Sequence, residues 1–200
     1  MTQSGRSCTV AKIATIFLDR GFLLIADKKN GFHFPYMIEE TTDKGLGVFA
    51  GKAIRQGSIV WRHVPSQYVV YDEQTFKALI AKMSRADVVY QLTHVFGLKD
   101  FPGVLIRVLD DGALINHSSD SNLVTNNSAP ASTSFDVNSR RYLHKVTEAL
   151  LEERYALIAT RDIEKGEEFT NDYVADCLEP LFYDVLFEQY GVDEDYLNDR

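Results

Sequence analysis

Three polar stretches of this 200-residue chain contain side chains that could bind a ligand or take part in chemistry. The first is Asn116-His117-Ser118, which follows the apolar pair Leu114-Ile115 and precedes a second asparagine, Asn122. Asn, His and Ser side chains carry both hydrogen-bond donors and acceptors. A polar turn of this kind either satisfies its own backbone or recognises a ligand with polar edges, and its spacing alone favours neither.

The other two stretches flank the first along the chain. Residues 43–50 read DKGLGVFA, with glycines at 45 and 47. Because glycine permits backbone conformations and close approaches that a Cβ forbids, Gly-x-Gly before a strand can open a backbone cradle for a ligand. Residues 163–173 read IEKGEEFTNDY and end in Asp172-Tyr173. Each stretch alone is a weak signal.

Taken in this order, the three stretches resemble the SET-domain protein lysine methyltransferases. That family has a Gly-x-Gly turn near its start, an Asn-His-Ser motif with a later Asn, and a Gly-Glu-Glu-(Leu/Phe)-Thr-x-Asp-Tyr run near its end. The resemblance spans roughly residues 36–176. It implies a β-rich α+β fold of small curled β-sheets with a C-terminal pseudoknot, in which the Asp-Tyr segment threads through a loop and lies beside Asn-His-Ser.

The resemblance also implies S-adenosyl-L-methionine as cofactor and the side-chain amine of a protein lysine as methyl acceptor. The backbone of the Gly-x-Gly turn would face the methionine part of the cofactor. Asn116 and the backbone of His117 would meet its ammonium and its adenine edge, and Tyr173 matches the family's active-site tyrosine. The residues expected to bind the cofactor are Lys44, Gly45, Leu46, Gly47, Asn116, His117, Tyr173 and Phe182.

Methyl transfer from a sulfonium needs a neutral amine aligned behind the methyl group, so positioning supplies much of the rate. The positive sulfur and an apolar aromatic channel both disfavour the ammonium form of the lysine. We expect Tyr68 and Tyr90 to line this channel and bind the substrate, with Tyr71 and Phe96 as further candidates. No carboxylate base is required, and the acidic residues of the third stretch are interpreted as structural polar groups.

Some positions depart from the family pattern. Many members place a Cys directly after Asn-His-Ser and bind zinc through a cysteine cluster beyond Asp-Tyr. Ser119 stands at the first position and only Cys177 follows Asp-Tyr, so no metal site is expected. Ala113 and Ser121 replace the usual Arg and Pro. These departures keep an alternative function open, namely a catalytically inactive SET-like module for protein interaction.

The composition and net charge restrict the classes of partner that the protein is expected to bind. The chain is 45% hydrophobic and carries a net charge of −8, which argues against non-specific nucleic-acid binding because such binding needs a basic footprint. An acidic surface is compatible with a basic partner, such as a histone or another Lys-rich protein. No apolar run reaches membrane-spanning length and no signal peptide is evident, so we expect an intracellular soluble protein of the nucleus or cytoplasm. The oligomeric state is not predicted.

The elements follow from local patterns. We predict an N-terminal extension at 1–35, a SET domain at 36–176 and a C-terminal helical segment at 177–200. The SET domain would contain an inserted helical region at about 72–97 and an insertion at about 123–154. Helices are predicted at 73–82 (capped by Asp72), from Ser84, at 142–153 and at 180–190 with Pro180 in its first turn. Strands are predicted at 34–39, 48–50, 58–61, 68–71, 104–109, 113–115 and 155–160. Residues 10–26 fit either a helix followed by a strand or a hairpin.

Overall fold

The computed structural model describes residues 30–126 and 141–192. Within these ranges the strands are β1 (Tyr36–Glu40), β2 (Leu46–Ala50), β3 (Ile59–Trp61), β4 (Tyr68–Asp72), β5 (Val104–Val108), β6 (Asn116–His117), β7 (Leu123–Thr125), β8 (Leu157–Ala159) and β9 (Thr170–Asn171). The α-helices are α1 (Glu73–Ile80), α2 (Arg85–Leu92), α3 (Tyr142–Ala149), α4 (Tyr173–Asp176) and α5 (Leu181–Tyr190). Two 3₁₀ helices span Asp111–Leu114 and Glu153–Tyr155.

The described strands form three small sheets, which confirms the predicted β-rich fold. β1 pairs with β2, β4 pairs with β5, and the largest sheet has the order β3-β8-β7-β9-β6. The two-stranded sheets are antiparallel. Strands this short expose much backbone at their edges, so the sheets depend on packing against one another and on the helices.

The position of β9 in the largest sheet produces the pseudoknot. β9 lies between β6 and β7 and pairs in parallel with both. Because residues 118–122 connect β6 directly to β7, this connection must cross over β9. The chain segment that follows β9 is thereby held against Asn116-His117, as the threaded fold predicted.

Three hydrophobic clusters support these sheets. The first lies beneath β1, β2 and the largest sheet and includes Val48, Leu123 and Phe169. The second packs α3 against β4 and β5. The third packs α1 and α2 against α5, so the C-terminal helix is fastened to the helical region inserted between β4 and β5.

Both predicted helix caps of the inserted region are confirmed. The Asp72 carboxylate accepts a hydrogen bond from the backbone N–H of Thr75 at 2.8 Å, and the Thr75 side chain completes a capping box. The Ser84 hydroxyl accepts from the N–H of Asp87 at 3.2 Å at the start of α2. Such caps satisfy N–H groups that a helix cannot pair internally.

Several predicted boundaries were wrong. Residues 113–115 do not lead into the polar motif as a strand, because the Asp110 side chain caps a 3₁₀ helix at Asp111–Leu114. The motif itself begins β6, so it is a strand rather than a turn. The helix predicted at 142–153 ends at Ala149, and a 3₁₀ turn follows in which buried Tyr155 donates a hydrogen bond to Asp100. Pro180 precedes the first turn of α5 as its N-cap.

Some predictions fall outside the described residues. These are the two alternatives for residues 10–26, most of the N-terminal extension at 1–35, residues 127–140 of the predicted insertion, and residues 193–200 of the predicted C-terminal segment. Among the helices that the structure does describe, none combines the length and the apolar character needed to cross a bilayer.

Candidate functional site

Asn116 joins three segments of the chain. Its Nδ2 donates to the carbonyl of Leu46 at 3.2 Å and to Oε1 of Glu168 at 2.8 Å. Within the described residues its Oδ1 accepts no hydrogen bond, so the donor half of the carboxamide is used by the protein and the acceptor half is left for a ligand. The orientation of the side chain is therefore fixed before any ligand arrives.

The two glycines of the Gly-x-Gly turn have different roles. Gly45 has a φ of 76°, a left-handed conformation that glycine adopts readily. Gly47 has no room for a side chain, because a Cβ there would lie 2.6 Å from Oε1 of Glu168 and 3.1 Å from Nδ2 of Asn116. The backbone of β2 can therefore approach the Asn116–Glu168 pair closely only with glycine at position 47.

Lys44 reaches across to the polar motif. Its Nζ donates to the carbonyl oxygen of His117 at 2.8 Å. The turn that presents it is closed by Thr41, whose N–H donates to the Gly45 carbonyl at 2.7 Å and whose hydroxyl accepts from the Lys44 N–H at 2.9 Å. A cation thus lies beside Asn116-His117, at the carbonyl that the sequence assigned to the adenine edge of a cofactor.

Tyr173 completes the cluster from the far end of the chain. Its backbone N–H donates to Nδ1 of His117 at 3.2 Å, and the two rings lie 5.4 Å apart. Its hydroxyl donates to the carbonyl of Ile115. Asp172 caps the short helix α4 by accepting from the N–H groups of Val174 and Ala175. The Tyr173 side chain is 41% exposed, so it is accessible as well as oriented.

A glycine turn, a paired Asn-His motif and an oriented tyrosine therefore meet in one place. The family model of the SET domain matches residues 45–174, which begin at the glycine turn and end just after this tyrosine. The chain belongs to the SET-domain family. This match confirms the resemblance drawn from the sequence, and it lies inside the domain predicted at 36–176.

Solved structures that are similar to this chain include histone lysine methyltransferases. The Neurospora SET-domain histone lysine methyltransferase DIM-5 is 23% identical, with a TM-score of 0.45, 72% of this chain covered and 53% of that one. The methyltransferase domain of human histone-lysine N-methyltransferase SETMAR is 20% identical, with a TM-score of 0.46 and coverages of 72% and 45%. KRYPTONITE, in complex with DNA, a histone H3 peptide and SAH, is 21% identical, with a TM-score of 0.42 and coverages of 71% and 24%.

This chain thus spans about half the length of the first two of these structures and about a quarter of the third. No curated protein matches the chain significantly. The family assignment rests on the match over residues 45–174.

The SET-domain site is held together by a residue to which the sequence assigned no role. Asn122 is 2% exposed. Its Nδ2 donates to the Glu168 carbonyl at 2.7 Å and to Oε1 of Glu167 at 3.1 Å, and its Oδ1 accepts from the N–H of Thr170 at 3.0 Å. A buried carboxamide with its partners on a neighbouring strand fixes that strand in register. Asn122 therefore locks β9 into the pseudoknot.

The acidic residues of the third stretch are engaged by neighbouring groups. Burial alone would raise the pKa of Glu167, but hydrogen bonds from Arg161, the Glu164 backbone and Asn122 hold that pKa below its ordinary value. Glu168 accepts from Asn116. These contacts agree with the structural role that the sequence assigned to both carboxylates.

The remaining predicted site residues lie in other clusters. Tyr68 is 8% exposed, belongs to the second hydrophobic cluster and donates its hydroxyl proton to the Thr147 carbonyl at 2.6 Å. Tyr90 is 52% exposed on α2, where the Arg107 guanidinium lies 5.1 Å from its ring centre. Phe182 packs against the third cluster at the start of α5. The structure does not bring these three into the polar cluster around Asn116, and their roles in binding stay predictions.

Hydrogen bonds also hold the segment directly before β6, which contains Asp110 and the 3₁₀ helix. Asp110 accepts from the Gly31 N–H at 2.7 Å and from the Trp61 indole N–H, and Tyr36 donates to Asp111 at 2.5 Å. Burial raises the pKa of Asp110 in spite of these hydrogen bonds, and burial together with the Asp111 carboxylate raises the pKa of Tyr36. These contacts fix the 3₁₀ helix directly before Ile115, whose carbonyl orients Tyr173.

Proposed function

We propose that this chain transfers a methyl group from S-adenosyl-L-methionine to the side-chain amine of lysine in a protein substrate. The observation that carries the proposal is the convergence of Gly47, Asn116 and Tyr173, which are far apart in sequence. A Cβ at Gly47 would lie 3.1 Å from Nδ2 of Asn116, and the Tyr173 N–H donates to His117, the neighbour of Asn116. Membership of the SET-domain family supports the same reaction.

The residues present fit the cofactor's polar groups. The Oδ1 of Asn116 is an acceptor suited to an ammonium group such as that of the methionine part. The glycine turn beside it leaves backbone groups accessible, since a Cβ at Gly45 would meet no atom within 4 Å. The His117 carbonyl can accept from the amino group of adenine, and the Lys44 ammonium then competes for that carbonyl.

When bound, S-adenosyl-L-methionine would supply an electrophilic methyl group, which the lysine amine takes as the carbon–sulfur bond breaks and a proton passes from the amine to water. Tyr173 would orient the amine. Its own proton is directed at the Ile115 carbonyl, and a hydroxyl oxygen that donates in this way can still accept from an amine N–H. Holding the amine in line contributes to the rate without a general base.

The substrate is proposed to be a basic protein. A net charge of −8 favours encounter with Lys-rich segments, of which histones are one class. The division of the chain at residues 36 and 176 and the contributions of Tyr68, Tyr90 and Phe182 belong to this proposal as well.

Calorimetric titration with S-adenosyl-L-methionine and transfer of a tritiated methyl group to core histones and a lysine-rich protein pool test the proposal together. Asn116→Ala should weaken cofactor binding by about 10- to 100-fold, because it removes a charge-assisted hydrogen bond worth about 1.5–3 kcal/mol. Gln56→Ala removes an exposed carboxamide that bonds the Thr160 carbonyl elsewhere, and it should leave binding unchanged. Cofactor binding without transfer to any protein would favour the inactive interaction module instead.

A further inference from the structure

Arg107 carries a positive charge with which no carboxylate of the described residues pairs. The residue lies in β5 and is partly buried. Its guanidinium makes no hydrogen bond within the described part of the chain, and its Nη1 is fully buried. An arginine offers five N–H donors, and a buried donor without an acceptor has lost its hydration without compensation. An apolar residue at this position would avoid that loss.

Two tyrosines lie beside the guanidinium. Arg107 pairs with Val69 across the β4–β5 sheet, and Leu105 pairs with Tyr71. Because paired residues project to the same side of a sheet and residues two apart do so as well, Arg107 shares a face with Tyr71. Burial raises the pKa of the Tyr71 phenol, and the nearby charge of Arg107 opposes that rise. From α2, the ring centre of Tyr90 lies 5.1 Å from Cζ of Arg107.

The aromatic contact compensates the charge only in part. A tyrosine ring attracts a guanidinium modestly, but the N–H groups of the guanidinium still need acceptors. Tyr90 is 52% exposed, so the charged group lies at the edge of the third hydrophobic cluster, close to solvent. Gln91, which follows Tyr90 on α2, also has a fully buried Oε1 without a partner among the described residues. An unpaired donor on β5 and an unpaired acceptor on α2 therefore await groups from outside.

We propose that Arg107 and Tyr90 form a docking site for an oxyanion carried by a peptide, either a carboxylate side chain or a phosphorylated serine or threonine. Guanidinium groups pair well with carboxylates and phosphates, because their forked N–H donors match two oxygen atoms. The Gln91 amide oxygen can accept a backbone N–H of the same peptide. The proposal does not rest on methyl transfer, since the site belongs to α2 and β5 and lies outside the polar cluster around Asn116.

The charge of the chain favours a peptide over a nucleic acid. A net charge of −8 repels a polyanion, whose binding requires a basic footprint of several lysines and arginines. Arg107 is a single cation, and it matches a single oxyanion on a peptide that is otherwise neutral or basic. Such a peptide is not repelled by the acidic surface around the site.

The test compares wild type with Arg107→Met, Arg107→Lys and Arg55→Met. Methionine keeps an apolar stem and removes the charge, whereas lysine keeps the charge without the forked donors. Arg55 is an exposed arginine in the segment between β2 and β3, so Arg55→Met is the matched control. The probes are arrayed peptides with random flanking residues and phosphoserine, glutamate or serine at the centre, together with a single-stranded DNA oligonucleotide. Retained peptides are resynthesised for Kd measurement by fluorescence anisotropy, and the Tm of each protein is recorded.

Wild type should retain phosphoserine or glutamate peptides in preference to their serine counterparts, and the stronger set identifies the oxyanion that the site prefers. Arg107→Met should weaken this binding by at least about tenfold and keep or raise the Tm, because the unpaired donors are gone. Arg107→Lys should lose less, and Arg55→Met should stay within about twofold of wild type. A purely structural role would lower the Tm of Arg107→Met and leave peptide binding unchanged.

The absence of any preference for an oxyanion, wild-type affinity in Arg107→Met, or binding of DNA in preference to every peptide would overturn the proposal. If Arg107→Met does not fold, Arg107→Lys and Tyr90→Ala decide, because Tyr90 is exposed and its removal leaves the core intact. Weaker binding of the selected peptides by both variants supports the site, and wild-type affinity in both refutes it.

Discussion

Replacing Gly47 with alanine should weaken cofactor binding while leaving the fold largely stable. The added Cβ would lie 2.6 Å from Oε1 of Glu168, 2.8 Å from Cγ2 of Thr41 and 3.1 Å from Nδ2 of Asn116. The Glu168 carboxylate ends a flexible side chain that can rotate away, whereas rotation of Thr41 would displace the hydroxyl that closes the glycine turn. When the Glu168 carboxylate moves away, it gives up the hydrogen bond that it accepts, and the loss of that bond is the main cost of the substitution.

That contact is the hydrogen bond from Asn116 to Glu168 at 2.8 Å. A hydrogen bond to a charged group contributes about 1.5–3 kcal/mol. If the free energy that holds the Asn116 side chain in its binding orientation falls by this amount, affinity for S-adenosyl-L-methionine should fall by about 10- to 100-fold, since each 1.4 kcal/mol is a factor of about ten.

Isothermal titration calorimetry and urea unfolding of Gly47→Ala give the two quantities needed. Gly51→Ala is the matched control, because its Cβ would lie 2.7 Å from the Pro35 carbonyl oxygen, a similar overlap just beyond the other end of β2. The control should lose stability and keep the cofactor affinity of any folded protein. Affinity of Gly47→Ala within twofold of wild type would refute the role given to the Asn116–Glu168 pair.

Substitutions at three further positions test the stability of the fold and the support of the site. Asn122→Ala should lower the free energy of unfolding by about 3 kcal/mol, because it leaves the buried Thr170 N–H without its acceptor; an unchanged urea midpoint would contradict this. Burial lowers the pKa of His63 to about 3, so wild-type stability should be complete above the unfolded-state pKa near 6.5 and fall as the pH drops toward 3. His63→Phe should remove up to about 1.4 kcal/mol per pH unit of this dependence, and equal slopes for both proteins between pH 7 and pH 5 would refute the argument. Lys99 donates to the Ala175 carbonyl two residues after Tyr173; Lys99→Ala should lower transfer severalfold with cofactor affinity unchanged, Lys99→Arg should restore it, and full activity of the alanine variant would exclude a positioning role.

The parts of the site that could be predicted from the sequence are short motifs, each made of residues that are neighbours along the chain. The glycines at 45 and 47, the Asn-His pair and the Asp-Tyr end are each weak signals alone, and their common order indicated the fold that joins them. The helix caps could also be predicted, because the side chains of Asp72 and Ser84 accept backbone N–H groups only three residues further along the chain. Such features depend on neighbours along the chain.

The remaining features depend on partners far along the chain, which no local pattern specifies. The Lys44 side chain bonds a carbonyl 73 residues away, although the sequence assigned only its backbone to the site. The side-chain alternation of β4 directs Tyr68 into the second hydrophobic cluster beside α3, where its hydroxyl donates to the Thr147 carbonyl. Asn122 and Asn171 look alike as polar residues near strands, yet one is fully paired and the other lacks a partner for its oxygen among the described residues.

The central claim, methyl transfer to lysine at the Asn116–Tyr173 site, is tested most directly with cofactor that carries a deuterated methyl group. Wild-type protein, Tyr173→Phe and Tyr190→Phe would each be incubated with core histones and a lysine-rich protein pool, and labelled residues would be located by tandem mass spectrometry. Tyr190 lies on α5 in the third cluster and controls for loss of a phenol elsewhere. We predict deuterated methyl groups on lysine side chains with wild type and Tyr190→Phe, and a loss of at least about tenfold with Tyr173→Phe. Label that is absent despite cofactor binding, or undiminished in Tyr173→Phe, would contradict the claim.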